Sequence, residues 1–120
     1  MRLLLSIAVS SLLFFFPTGL LGKRVARVPV NPIVHNGIKY SAEGDGISGY
    51  VLATEVASEK ELWKLKVFHI HIKPWLEEDN QWIFINGMEL TGDSLLVRDE
   101  KSRCYSINLT KRNVKKVRCP

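Results

Sequence analysis

The chain is poor in the residues that chemistry needs. It has two cysteines and three histidines in 120 residues, and no Cys-x-x-Cys spacing that would suggest a zinc site or a dithiol redox pair. No Gly-x-Ser-x-Gly elbow presents a nucleophile, and no phosphate loop or dinucleotide fingerprint is present. Glu77, Glu78 and Asp79 are carboxylates, but consecutive loop carboxylates face solvent more often than a shared substrate. The sequence therefore gives no local support to hydrolase, nucleotidase or dehydrogenase chemistry, and no cofactor is expected.

Charge is also absent from residues 3–22, an apolar Leu/Phe run between Arg2 and Lys23-Arg24. One basic residue, an apolar centre and the Pro17/Gly19 break before charge returns read as a signal peptide over 1–22, which sends the chain to a secreted or periplasmic address. The rival reading is a retained anchor, since about 20 apolar residues span a bilayer; only then would a membrane be a partner. Removing 1–22 takes Arg2 from a net charge of +5 and leaves +4. The cations gather at two ends, Lys23, Arg24 and Arg27 at the front and Lys111, Arg112, Lys115, Lys116 and Arg118 at the back. Such clusters attract anionic surfaces at low salt, and equally serve as a solvated face. Secretion argues against a nucleic-acid partner.

What is abundant is strand-forming sequence. Residues 23–32 are basic and broken by Pro29 and Pro32, which predicts an extended linker. The remaining 33–120 predict one small all-β domain of about seven strands, an antiparallel sandwich or partly open barrel. Asn36-Gly37 between apolar flanks is a two-residue hairpin signal, and 41–48, with Gly44 and Gly46, reads as a loop. The longest feature is 49–72, two strands around a polar turn at 57–60. Leu65 and Val67 share one face of its second arm, but Phe68, Ile70 and Ile72 are in phase with Lys64 and Lys66. A β-bulge near Val67-Phe68, or a strand passing between sheets there, would reconcile the two phases. Pro74 ends this arm. Strand character resumes over 82–90, where Asn86-Gly87 is a turn or a bulge, again at 95–97, and in a last hairpin of 104–109 and 114–119.

If Leu109 lies opposite Val114 across a four-residue loop, Cys104 falls opposite Cys119. Directly opposed residues have Cβ atoms roughly 4.5–5.5 Å apart, near what a disulfide needs. In an oxidising compartment a bridge is the natural expectation.

The stretch 49–66 resembles the blade repeat of quinoprotein-type β-propellers. Gly49, Val51, Ala53, Lys60 and Trp63 fit the pattern, while Thr54-Glu55 and Ser58-Glu59 depart from its aliphatic–Asp step and its Thr-Gly turn. A second copy with Ile107-Asn108 aligns when Ala53 is laid on Ser106 and Ala57 on Thr110, an offset of 53. The layout over 40–117 is similar to short uncharacterised secreted proteins with one or two blade repeats. The resemblance implies blade-like hairpins packed as two sheets, a small sandwich or barrel, or a part of an oligomer. It carries over no cofactor, because a closed propeller needs at least about four blades.

Candidate site residues are few. His69 and His71, two apart on a strand, point the same way, a spacing that suits metal ligands; Ile70 and Ile72 inward would leave both exposed. Trp75, after Pro74 and before the acidic loop, is expected at the surface, where Tyr50 or Trp82 could join it in a protein- or sugar-binding patch. Asn108 heads an Asn-Leu-Thr sequon, relevant to a eukaryotic secretory pathway. Three functions follow: a secreted non-enzymatic binding domain for a protein, glycan or anionic surface; a metal-binding protein or metal-assisted enzyme using His69 and His71; and a structural or assembly component.

Overall fold

The computed structural model describes residues 29–120, so the expected signal peptide, 1–22, and most of the linker, 23–32, lie outside the described residues. Eight strands form where apolar and polar side chains alternate: β1 (Ile33–His35), β2 (Ile38–Gly44), β3 (Ser48–Glu55), β4 (Glu61–His69), β5 (Ile85–Thr91), β6 (Ser94–Asp99), β7 (Cys104–Asn108) and β8 (Asn113–Val117). They make two antiparallel four-stranded sheets, β1-β2-β3-β4 and β5-β6-β7-β8. Among the described residues no helix is long and apolar enough to cross a membrane.

The all-β expectation holds as a sandwich. Each inner face contributes every second residue to one core: Tyr40, Val51 and Ala53 from the first sheet, Leu95, Val97, Tyr105 and Ile107 from the second, with Ile83 and Ile85 between. Phe68 of β4 stacks on Tyr105 of β7 with ring centroids 5.5 Å apart, tying the two layers together. Burying one such large side chain contributes about 1.5–3 kcal/mol. Neither sheet pairs with the other, so no barrel closes.

The bulge falls where the phase changes. Register steps from Gly49↔Phe68 to Tyr50↔Lys66, leaving Val67 as the extra residue. Val67 and Phe68 are consequently both buried, which strict alternation forbids. The Phe68 ring lies on Gly49, and a Cβ there would come within 2.5 Å of it. Asn36 and Gly37 take positive φ, 53° and 76°, as a tight hairpin turn demands. The β3–β4 register shifts again between Ala53 and Thr54, and a further bulge at Asn86 shifts the β5–β6 register between Ile85 and Gly87.

Other expectations need correction. The blade resemblance fails: the described residues form an eight-stranded two-sheet fold, with no closed or curled sheet and no ring of blades among them. The alignment also mismatches faces, laying the buried Ala53 on Ser106, which lies between the buried Tyr105 and Ile107 and faces outward. The shared rhythm belongs to any third-to-fourth-strand hairpin. The loop assigned to 41–48 is mostly strand, since β2 runs on to Gly44 opposite Gly49. β4 stops at His69 rather than Ile72, and β5 starts at Ile85 after a short 3-10 turn, Asp79–Gln81.

The last hairpin is two residues out of the expected register, pairing Ile107 with Val114 and Cys104 with Val117. Leu109 does not pair with β8 because its N–H donates to the Asp93 carbonyl, 3.0 Å away. Asn108 Oδ1 accepts from the N–H groups of Thr110 and Lys111 at 3.0 and 2.8 Å and ends the strand there. The disulfide forms nonetheless. Cys119, beyond the end of β8, reaches back to Cys104 with a Cα–Cα distance of 5.2 Å, and both cysteines are consumed.

Candidate functional site

The histidines do not build a metal centre. His69 ends β4 and pairs with Ser48, whose hydroxyl is hydrogen-bonded to His69 Nδ1 at 2.7 Å. His71 lies past the strand, exposed like His69. Among the described residues no three His, Cys, Asp or Glu side chains group around a metal-sized space. No third donor joins His69 and His71 there.

Ser48, His69 and Asp45 form a local set whose chemistry is structural. Asp45 Oδ1 accepts from the N–H groups of Ile47 and Ser48 at 2.9 and 2.8 Å, closing the β2–β3 turn. These bonds, Ser48 first and then Ile47, favour the ionised form and hold the Asp45 carboxyl below its ordinary value. In a hydrolytic triad the acid would orient the imidazole and the serine would face substrate. Here the acid binds backbone and Ser48 is buried.

The aromatic candidates are separated. Tyr50 lies on the outer face of the first sheet with Lys64 Nζ 4.7 Å above its ring centre. Lys64 also pairs with Glu43 at 3.3 Å, so in the depression of about 470 Å³ lined by Glu43, Gly44, Asp45, Tyr50 and Lys64 the single cation is already engaged. Trp82 packs on Gly46 and meets Phe84 edge-on at 6.3 Å. Trp75 is 75 % exposed, on a loop clamped by Gln81: the Lys73 N–H donates to Gln81 Oε1 at 2.8 Å and Gln81 Nε2 donates to the Lys73 carbonyl at 3.0 Å. Among the described residues Trp75, Trp82 and Tyr50 form no ring pair with one another.

The second sheet holds what sequence reading missed. Asp99, at the end of β6 and beyond the strand expected at 95–97, is fully buried. Its Oδ1 accepts from the N–H groups of Lys101 and Arg103 at 2.8 and 3.0 Å, and its Oδ2 from Arg103 Nε and Tyr105 Oη at 2.8 and 3.1 Å. Burial first, and the Asp99 charge second, push the Tyr105 phenol upward. Parity was the available signal, because Leu95, Val97 and Asp99 share the inward face of β6. This carboxylate locks the β6–β7 connection and frees the opposite face for other work.

That opposite face is polar and basic. Register aligns Ser94, Asn108 and Asn113 in one row across β6, β7 and β8, and Leu96, Ser106 and Lys115 in the next. With Lys111 from the turn and Val114, they line a depression of about 370 Å³. Lys111, Arg112, Lys115, Lys116 and Arg118 are all exposed. The ion pairs between described residues are Lys64–Glu43 and Arg103–Asp99, so none of these five cations is neutralised by a described acid. The sequon asparagine, Asn108, sits on this face with its Oδ1 engaged in the turn. Such an arrangement donates hydrogen bonds and positive charge to an anion. No protein-family model matches the chain, and no curated protein is significantly similar to it.

Proposed function

We propose that the chain is a non-enzymatic binding domain for an anionic macromolecule, engaged by the β7–β8 hairpin, in a secreted or periplasmic setting. The observation that carries this reading is the set of five exposed cations on one hairpin with no acidic partner among the described residues. Unpaired cations gathered on one short hairpin add their fields and raise both the encounter rate and the affinity for polyanions at low salt. The hairpin is also pinned at its base by Cys104–Cys119, so little ordering cost falls on the binding step. The bridge accords with an oxidising compartment.

The alternatives have less support. A metal role lacks a third donor beside His69 and His71. An assembly role needs open strand edges, yet β4 carries Lys64, Lys66 and the Val67 bulge along its edge, devices that discourage edge-to-edge pairing. The test is retention on heparin and cation-exchange matrices at low salt. The wild-type chain is expected to be held and released by salt. A variant with Lys111, Arg112, Lys115 and Lys116 each changed to Glu should flow through with an unchanged circular dichroism spectrum. Wild-type protein in the flow-through at low salt would refute the proposal.

A further inference from the structure

We infer that the depression among Ser94, Ser106, Asn108, Asn113, Lys111 and Lys115 is a subsite for an acidic sugar, one unit of a sulfated or carboxylated glycan. This inference rests on the anionic-ligand reading and assigns its chemistry. The depression measures about 370 Å³, within the usual range of about 300–1,000 Å³ for small-ligand sites. Its lining joins two kinds of group. Lys111 and Lys115 supply charge for a sulfate or carboxylate, and charge-assisted hydrogen bonds are the stronger class. Ser94, Ser106 and Asn113 supply neutral groups that both donate and accept, the complement of sugar hydroxyls rather than of phosphates alone.

Three further observations choose among anionic ligands. No aromatic side chain lines the depression, so a neutral sugar would lack its usual stacking platform, whereas an acidic one is held by charge. The exposed large apolar side chains, Val34, Val56, Leu62, Trp75 and Leu76, lie elsewhere and Leu96 and Val114 are half-buried, which leaves a lipid surface little to anchor on at this face. The turn beside the site is rigidly closed by Asn108 Oδ1, fixing Lys111 near the row of Ser94, Asn108 and Asn113.

The experiment is titration of the disulfide-bonded protein with a heparin-derived tetrasaccharide, comparing groove variants with equally charged changes outside it. Lys115→Gln is expected to weaken binding about tenfold and Ser106→Val about threefold to fivefold. Lys116→Gln and Arg118→Gln, which remove charge without lining the depression, should weaken it less than about threefold. Equal losses for all four would overturn the subsite and leave the polyanion reading standing. Wild-type protein that binds no anionic probe would remove both. Tighter, groove-dependent binding of inorganic polyphosphate, or of phosphatidylcholine vesicles containing phosphatidylserine, would overturn the sugar assignment in favour of that ligand.

Discussion

In the first sheet the last strand is held by apolar side chains, Val67 and Phe68, turned inward together by a bulge. In the second it is held by a disulfide, and the preceding connection by a buried carboxylate. Both sheets have the same up-and-down order, so the difference lies in side chains alone. It also appears in charge. Residues 33–69 carry four Lys against five Asp and Glu, while residues 85–120 carry eight Lys and Arg against four Asp and Glu. The first sheet carries slightly more acids than cations, and its Lys64 is shared between Glu43 and the Tyr50 ring. The second concentrates cations on a hairpin that a covalent bridge keeps in place. Like charges on a short edge strand repel, so an edge of this kind needs a fastening that does not depend on its surface, and Cys104–Cys119 is one.

The comparison breaks most sharply at Asp99. Asp99→Ala leaves Tyr105 Oη and two backbone N–H groups without their acceptor, and should cost about 3–4 kcal/mol in chemical denaturation. The exposed counterpart, Glu43→Ala, should stay within about 0.5 kcal/mol; similar losses for the two would deny that the sheets are fastened differently. Replacing Cys104 and Cys119 by Ser opens a closure across a separation of 15 residues and should cost about 2–3 kcal/mol. Its opening should be seen first as faster amide exchange in β8 than in β4.

Gly49→Ala tests the other fastening. The added methyl meets the Phe68 ring and should cost about 1–2 kcal/mol, with protection lost first in β4; an unchanged midpoint would mean that the bulge tolerates repacking. The smallest effect is at alkaline pH. Burial raises the Tyr40 and Tyr105 phenols above their ordinary value. The neutral forms are favoured in the fold, so this part of the stability is complete below about pH 10 and is lost as pH climbs through the folded values. The Tyr40→Phe/Tyr105→Phe variant should show a shallower alkaline decline than wild type; equal slopes would count against buried phenols as the cause.

Much of the fold was legible from local signals. Asn36-Gly37 declared its turn, and the change of apolar phase between Leu65 and Ile70 declared the bulge. Signals that depend on distant partners were silent. The Leu109 N–H is diverted to Asp93, in the turn before β6, which no hairpin rule anticipates, and the expected register was out by two although the bridge was right. Gly44 and Gly46 read as loop residues, yet Gly44 pairs with Gly49 inside a sheet. The candidate site was legible only in part. The basic run 111–118 stood out by composition, but its polar neighbours Ser94 and Ser106 come from β6 and β7 and join it only through register. His69 was conspicuous as a ligand and turned out to be the partner of Ser48.

Anion binding is proposed for the second sheet, through its last hairpin. The most direct test is the salt dependence of heparin affinity in two neutralised variants, Lys111→Gln/Lys115→Gln/Lys116→Gln and Lys39→Gln/Lys64→Gln/Lys66→Gln. Both remove three charges, so net charge alone predicts the same change. The hairpin variant is expected to lose most of the affinity and flatten the dependence on salt, while the first-sheet variant keeps the wild-type slope. Equal slopes for the two variants would contradict the proposal.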